Sequence, residues 1–204
     1  MQIDNYVVHI VDDEEPVRKS LAFLLTMTGF TVRAHESAAS FLAAAKMIGK
    51  ACLVTDLRMP DMSGVELLER LKDAGDLIPA VVITGHADVP MAVAAMKAGA
   101  VDFIEKPFED EVLLEAIKRA ASQLEEGPAP VENTAILSMR LKSLSDRERQ
   151  VLTKVVEGLP NKSIAYDLSI SPRTVEVHRA NIMSKMQARN LPELVRMSMV
   201  IDLS

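Results

Sequence analysis

Apolar and β-branched residues in the first 125 positions gather into five short runs, at 6–11, 31–34, 51–55, 80–84 and 101–104. Each run is followed by a stretch with helical spacing: 16–28, 38–48, 64–74, 89–98 and 110–125. In the last of these, Leu113, Ile117, Ala120 and Leu124 recur about one turn apart. Gly29, Gly49, Gly75 and Gly99 fall just past a helical stretch, where a left-handed stop costs glycine little. Five rounds of strand then helix predict a parallel sheet with right-handed crossovers and helices on both faces. The pattern breaks at EEGPAPVENTA, which has two prolines, a glycine and no periodicity, so 126–137 reads as a linker. Beyond it only helical signals remain, at 146–156, 161–168, 172–186 and 192–201, which predicts a small four-helix domain over 138–204.

Composition fits this division. A chain of 204 residues with 49% apolar and 25% charged content suits two small globular domains and excludes disorder throughout. The single cysteine, Cys52, lies in an apolar run, which reads as a buried small hydrophobe and a reducing compartment. No apolar stretch reaches the roughly 18 residues of a membrane span, and the N-terminus lacks a signal peptide's basic start, so a cytoplasmic protein with no membrane partner is expected. Charge separates the halves. Residues 1–137 carry 12 Lys/Arg against 22 Asp/Glu, a net of −10, whereas 138–204 carry 11 against 7, a net of +4. The positive balance of the last third predicts a nucleic-acid partner there.

Ligands of open parallel sheets bind outside the carboxyl ends of the strands. At those ends stand Asp12 and Asp13, Asp56, Thr84, and Lys106 before Pro107. Three neighbouring carboxylates repel unless a cation lies among them. With only oxygen donors at hand, Mg²⁺ is expected above Zn²⁺. Lys106 and Thr84 are left to hold a tetrahedral anion, an arrangement suited to phosphoryl transfer onto Asp56 itself. Taken singly each residue is ordinary; their order along successive strand ends points to a site.

The segments VDDEEPVRKSL, VTDLRMPDMSGVELL and ITGHADVPMAVAAMKAGAVDFIEKPF resemble the response-regulator receiver domains of two-component signalling, over residues 1–125. The resemblance implies a flavodoxin-like α/β fold with strand order 2-1-3-4-5 and Asp56 as the phosphoacceptor. It further implies Mg²⁺ bound by Asp13, Asp56 and the backbone carbonyl of Arg58 with help from Asp12, Lys106 on the phosphoryl group before a cis Pro107, and Thr84 with Phe103 as a switch. Phe103 has no hydroxyl, so its switching would be a change of packing alone. Phosphatases with an aspartate nucleophile place a second acid two residues further on. Here that position is Arg58, so the expectation is phosphoryl acceptance from a phosphohistidine donor, without enzymatic turnover of external phosphoesters.

In LPNKSIAYDLSISPRTVEVHRANIMSKM, 159–186, a short helix, the turn Ser169-Ile170-Ser171 and a longer helix begun by Ser171 and Pro172 have helix-turn-helix spacing. Val175, His178, Ile182 and Met186 form one seam of the longer helix, and His178 reads as a packed, hydrogen-bonded core histidine. Arg173, Glu176, Ala180 and Met183 lie opposite, with Val177 beside them, and Glu176, Val177 and Ala180 are the candidates for contact with base edges. Lys162, Arg173, Arg179 and Lys185 are candidates for phosphate contact.

The stretch LSDRERQVLTKVVEGLPNKSIAYDLSISPRTVEVHRANIMSKM is similar to LuxR-type DNA-binding domains, over 138–204. This implies double-stranded DNA as partner, with Ser171 and Thr174 at the start of the reading helix joining the residues above. Both halves together resemble activators of nitrogen-fixation and microaerobic genes. That likeness implies phosphorylation by a FixL-like, oxygen-sensing histidine kinase, a homodimer when phosphorylated, and RNA polymerase as a further partner. A protein-docking helical module is the rival reading of the last third, distinguished by the steep salt dependence that DNA binding predicts.

Overall fold

The structure is a computed structural model that describes residues 6–45, 50–86, 88–126 and 134–201. Gly49 and positions 127–133 of the expected linker lie outside these residues. The chain divides into two units, 1–87 with 97–129, and 88–96 with 130–204.

The elements of the first half are β1 (Val7–Val11), α1 (Glu15–Met27), β2 (Thr31–His35), α2 (Ala38–Ala45), β3 (Ala51–Asp56), α3 (Gly64–Ala74), β4 (Ala80–Thr84), α4 (Val89–Lys97), β5 (Asp102–Glu105) and α5 (Asp110–Glu126). The five strands form one parallel sheet in the order β2-β1-β3-β4-β5, as the receiver resemblance implies. β3 and β4 are buried along their whole length, which explains their unbroken apolar character. On one face Leu25 of α1 and Leu113, Ile117 and Ala120 of α5 close over Val8, Ile10, Val54 and Ile83. α3 is fixed at its start by Ser63, whose hydroxyl accepts from the Glu66 N–H while the Glu66 side chain accepts from the Ser63 N–H.

The second half holds α6 (Thr134–Lys142), α7 (Asp146–Val156), α8 (Asn161–Asp167), α9 (Pro172–Met186) and α10 (Leu191–Ser198). The four expected helices are present, and α6 is an addition that begins inside the expected linker. It forms because Leu137 and Leu141, one turn apart, bury against a core that includes Val151, Leu152, Ile164, Val175, Ile182 and Met186. α10 ends at Ser198, short of the expected 201, although Ile201 is still buried in that core. No described helix is long and apolar enough to cross a membrane.

Candidate functional site

Strand register assembles the pocket. Val11 pairs with Thr55, Asp56 with Ile83, and Thr84 with Glu105, so Asp12, Asp56, Thr84 and Lys106 all arrive at the same end of the sheet. Lys106 Nζ lies 3.0 Å from Asp12 Oδ2 and 2.8 Å from Asp56 Oδ1, bridging two carboxylates that are almost closed off from water. The remaining oxygens are also satisfied. The Glu14 N–H donates to Asp12 Oδ1 at 2.8 Å, and the Arg58 N–H donates to Asp56 Oδ2 at 2.7 Å. Burial acts to lower the pKa of Lys106, but the hydrogen bonds and charges of Asp56 and Asp12 outweigh it and the net shift is upward. The ammonium therefore stays charged between its two acids.

Asp13, the remaining acid of the expected ligand set, is exposed. Among the described residues no three His, Cys, Asp or Glu side chains approach closely enough to hold a metal ion. In this arrangement Lys106 supplies the countercharge that the two buried acids Asp12 and Asp56 would otherwise demand. The donor chemistry nonetheless fits a hard divalent cation: Asp12 and Asp13 after β1, Asp56 at the end of β3 and the Arg58 carbonyl beyond it are all oxygen donors, with the two buried carboxylates already serving a cation.

Thr84 is buried, and its hydroxyl is held by His86, donating to the carbonyl and accepting from the N–H at 3.2 Å each. Phe103 is buried on β5, and its N–H donates to Asp102 Oδ1 at 2.9 Å. The pair expected to act as a switch is thus packed inward.

Two residues beyond the sequence expectations shape the pocket. Arg18 Nη1, from the first turn of α1, donates to the carbonyls of Asp12 at 2.7 Å and Asp13 at 2.8 Å, tying down a loop that has no side-chain helix cap. Gly64 backs onto Asp56 so closely that a side chain there would collide with its carbonyl. Beside the pocket, a groove of about 590 Å³ is lined by Pro16, Leu24, Met27, Lys106, Pro107 and Phe108.

In the second half, Ser169 at φ 54° turns the chain from α8 toward α9, and the Ser171 hydroxyl caps α9 by accepting the Thr174 N–H at 3.0 Å. Val175, Ile182 and Met186 are buried as the seam predicts. His178 departs from the expectation: its buried Nδ1 has no hydrogen-bond partner among the described residues. Arg173, Glu176, Val177 and Ala180 are exposed together, with Arg173 Nη1 3.0 Å from Glu176 Oε2. Lys162 is exposed on α8, and so is Tyr166 one turn later. Arg179 and Lys185 are engaged within the unit, Arg179 with Asn161 Oδ1 at 2.7 Å and Lys185 with Glu148 Oε2 at 2.7 Å. Lys185 first, then the Ser145 N–H, hold the Glu148 carboxyl below the usual carboxylate range.

The response regulator receiver domain family matches residues 8–118, and the luxR family of bacterial regulatory proteins matches 142–198. A transcriptional regulatory protein FixJ of Rhizobium meliloti is 67% identical over 96% of each chain, and one of Azorhizobium caulinodans is 51% identical over 95% of this chain and 92% of its own. A crystal structure of full-length FixJ from B. japonicum is 47% identical, covers 95% of this chain and 96% of its own, and superposes with a TM-score of 0.57. With both family models matched on a strand-end acid pocket and a capped helix-turn-helix, the chain belongs to the two-component response regulators, transcriptional regulators in which a receiver domain precedes a LuxR-type DNA-binding domain.

Proposed function

We propose that Asp56 accepts a phosphoryl group from a phosphohistidine donor and that this drives receiver pairing and sequence-specific DNA binding by α9. The observation that carries the reading is the Lys106 bridge to Asp56 and Asp12, a buried carboxylate with a cation fixed beside it. An Asp56 oxygen attacks phosphorus, the bond to the donor imidazole nitrogen breaks, and Lys106 shifts from the carboxylate toward the phosphoryl oxygens. Asp12, Asp13, Asp56 and the Arg58 carbonyl would hold Mg²⁺, which when bound neutralises charge on the transferred group. Thr84, to donate to the phosphoryl group, gives up its bond to the His86 carbonyl, and its movement opens room for Phe103 to repack. A change from 1:99 to 99:1 in favour of the paired form requires about 5.5 kcal/mol of differential stabilisation.

The resemblance further suggests an activator of nitrogen-fixation and microaerobic genes, with a FixL-like oxygen-sensing histidine kinase as donor and RNA polymerase as the downstream partner; the names of the relatives support regulation of transcription. Turnover of external phosphoesters is not part of the reading, since Arg58 stands where a general acid would be needed. Mass spectrometry of the chain after treatment with a small phosphodonor and Mg²⁺ tests the acceptor: one phosphoryl group on Asp56 is expected, and modification that persists in Asp56→Asn overturns it.

A further inference from the structure

α9 is gripped by hydrogen bonds from three neighbouring helices. Midway along it, Arg179 Nη1 donates to Asn161 Oδ1 of α8 at 2.7 Å. At its end, Arg140 Nη1 of α6 donates to the Met186 carbonyl at 3.2 Å, and Lys185 Nζ meets Glu148 Oε2 of α7 at 2.7 Å. Glu148 is only 4% exposed, and the same Oε2 accepts the Ser145 N–H at 2.8 Å. Its carboxylate thus joins the capped start of α7 to the last turn of α9.

The burial of Glu148 decides what Lys185 can do. A lysine that reached out to a DNA phosphate would leave behind a carboxylate shut away from water, and removing one member of a buried pair is costly because the other charge stays uncompensated. We propose that Lys185 and Glu148 are a positioning pair that sets the pose of α9 against its domain, and that Lys185 is not a phosphate contact. Lys185 is itself partly exposed, but its partner is buried, so phosphate neutralisation falls instead to Lys162 and to Arg173, whose partner Glu176 is open to solvent. The inference rests on the reading of α9 as the DNA-contacting helix.

The test uses the full-length chain treated with a small phosphodonor and Mg²⁺, and a fluorescent duplex enriched by the phosphorylated wild-type chain from a random-sequence pool, with affinity measured across a KCl series. Each phosphate contact contributes about 0.9 to the slope of log affinity against log salt. Positioning predicts that Lys185→Met and Glu148→Gln each weaken binding roughly tenfold and that the double variant is no weaker than either, the signature of coupled residues. It also predicts a wild-type salt slope in all three and recovery in Lys185→Arg. Should Lys185→Met unfold, Lys185→Gln, which retains a donor for Glu148, carries the slope measurement. A slope reduced by about 0.9 in the Lys185 variant while Glu148→Gln binds normally would overturn the proposal. So would wild-type affinity in both single variants. If the wild-type chain enriches no duplex, the reading of α9 fails and the proposal falls with it.

Discussion

A Cβ placed on Gly64 would lie 2.5 Å from the backbone carbonyl oxygen of Asp56, closer than any real side chain approaches. The Gly64 N–H meanwhile donates to the Leu57 carbonyl at 2.9 Å, so the start of α3 is pressed against the backbone that carries the acceptor. Gly64→Ala must push that backbone aside, which costs about 1–3 kcal/mol by the usual measure of overpacking. Phosphorylation by a small phosphodonor should slow along with this loss of stability. Unchanged melting and an unchanged rate would show that the loop yields freely.

Thr84 separates acceptance of the phosphoryl group from its consequence. Its hydroxyl is committed to His86 and does not contact Asp56, so Thr84→Ala should still be phosphorylated on Asp56. Dimer formation after phosphorylation should fall by roughly tenfold or more, the loss of about one charge-assisted hydrogen bond. Sedimentation of the phosphorylated variant checks this, and normal dimerisation would remove Thr84 from the switch.

A buried histidine stacked on a half-buried one gives the receiver a pH dependence. His9, three residues before Asp12, stacks on His35 with Nδ1 2.9 Å from its Nε2, and Phe41 packs edge-on against both. Burial first, then the charges of His35 and Arg33, lower the His9 pKa to about 4. The unfolded chain then binds the proton more readily than the folded one between about pH 6.5 and 4, so this stabilisation is present above 6.5 and lost as pH falls through that window. The loss amounts to about 3 kcal/mol, complete below the folded value. Denaturant unfolding of wild type and His9→Leu across this range should give converging stabilities, and parallel profiles would contradict the assignment.

On α9 the exposed Arg173–Glu176 pair ties a phosphate-seeking cation to a carboxylate that DNA itself would repel. Glu176→Ala should strengthen binding to random duplex, remove a candidate acceptor for a cytosine amino group, and so narrow the gap between preferred and random sequence by about 1–3 kcal/mol. Competition binding measures the ratio directly. A ratio that is unchanged would take Glu176 out of base recognition.

The pocket was legible in the chain because its members sit at strand ends. Once five strands alternate with five helices, Asp12, Asp56, Thr84 and Lys106 have nowhere to go but the same edge of the sheet. What periodicity could not convey was who satisfies whom: Lys106 and Asp56 are 50 positions apart, and only register brings them to 2.8 Å. The closeness of Gly64 to the Asp56 backbone and the reach of Arg18 to two carbonyls were illegible for a related reason, since neither leaves a mark on an apolar pattern. The prolines and glycine of the linker drew attention away from α6, whose two buried leucines are too few to announce a helix. In the basic half, the place of Lys185 beside the presented face of α9 suggested a phosphate contact, and no helical pattern could show that it also meets the buried Glu148, 37 positions away.

The most direct measurement is sedimentation velocity of the full-length chain and of Asp56→Asn, each with and without a small phosphodonor and Mg²⁺. The wild-type chain should shift from monomer to dimer only with the phosphodonor, and Asp56→Asn should stay monomeric throughout. Equal phosphodonor-dependent dimerisation of the two chains, or a phosphorylated wild-type chain that remains monomeric, would contradict pairing driven by phosphorylation of Asp56.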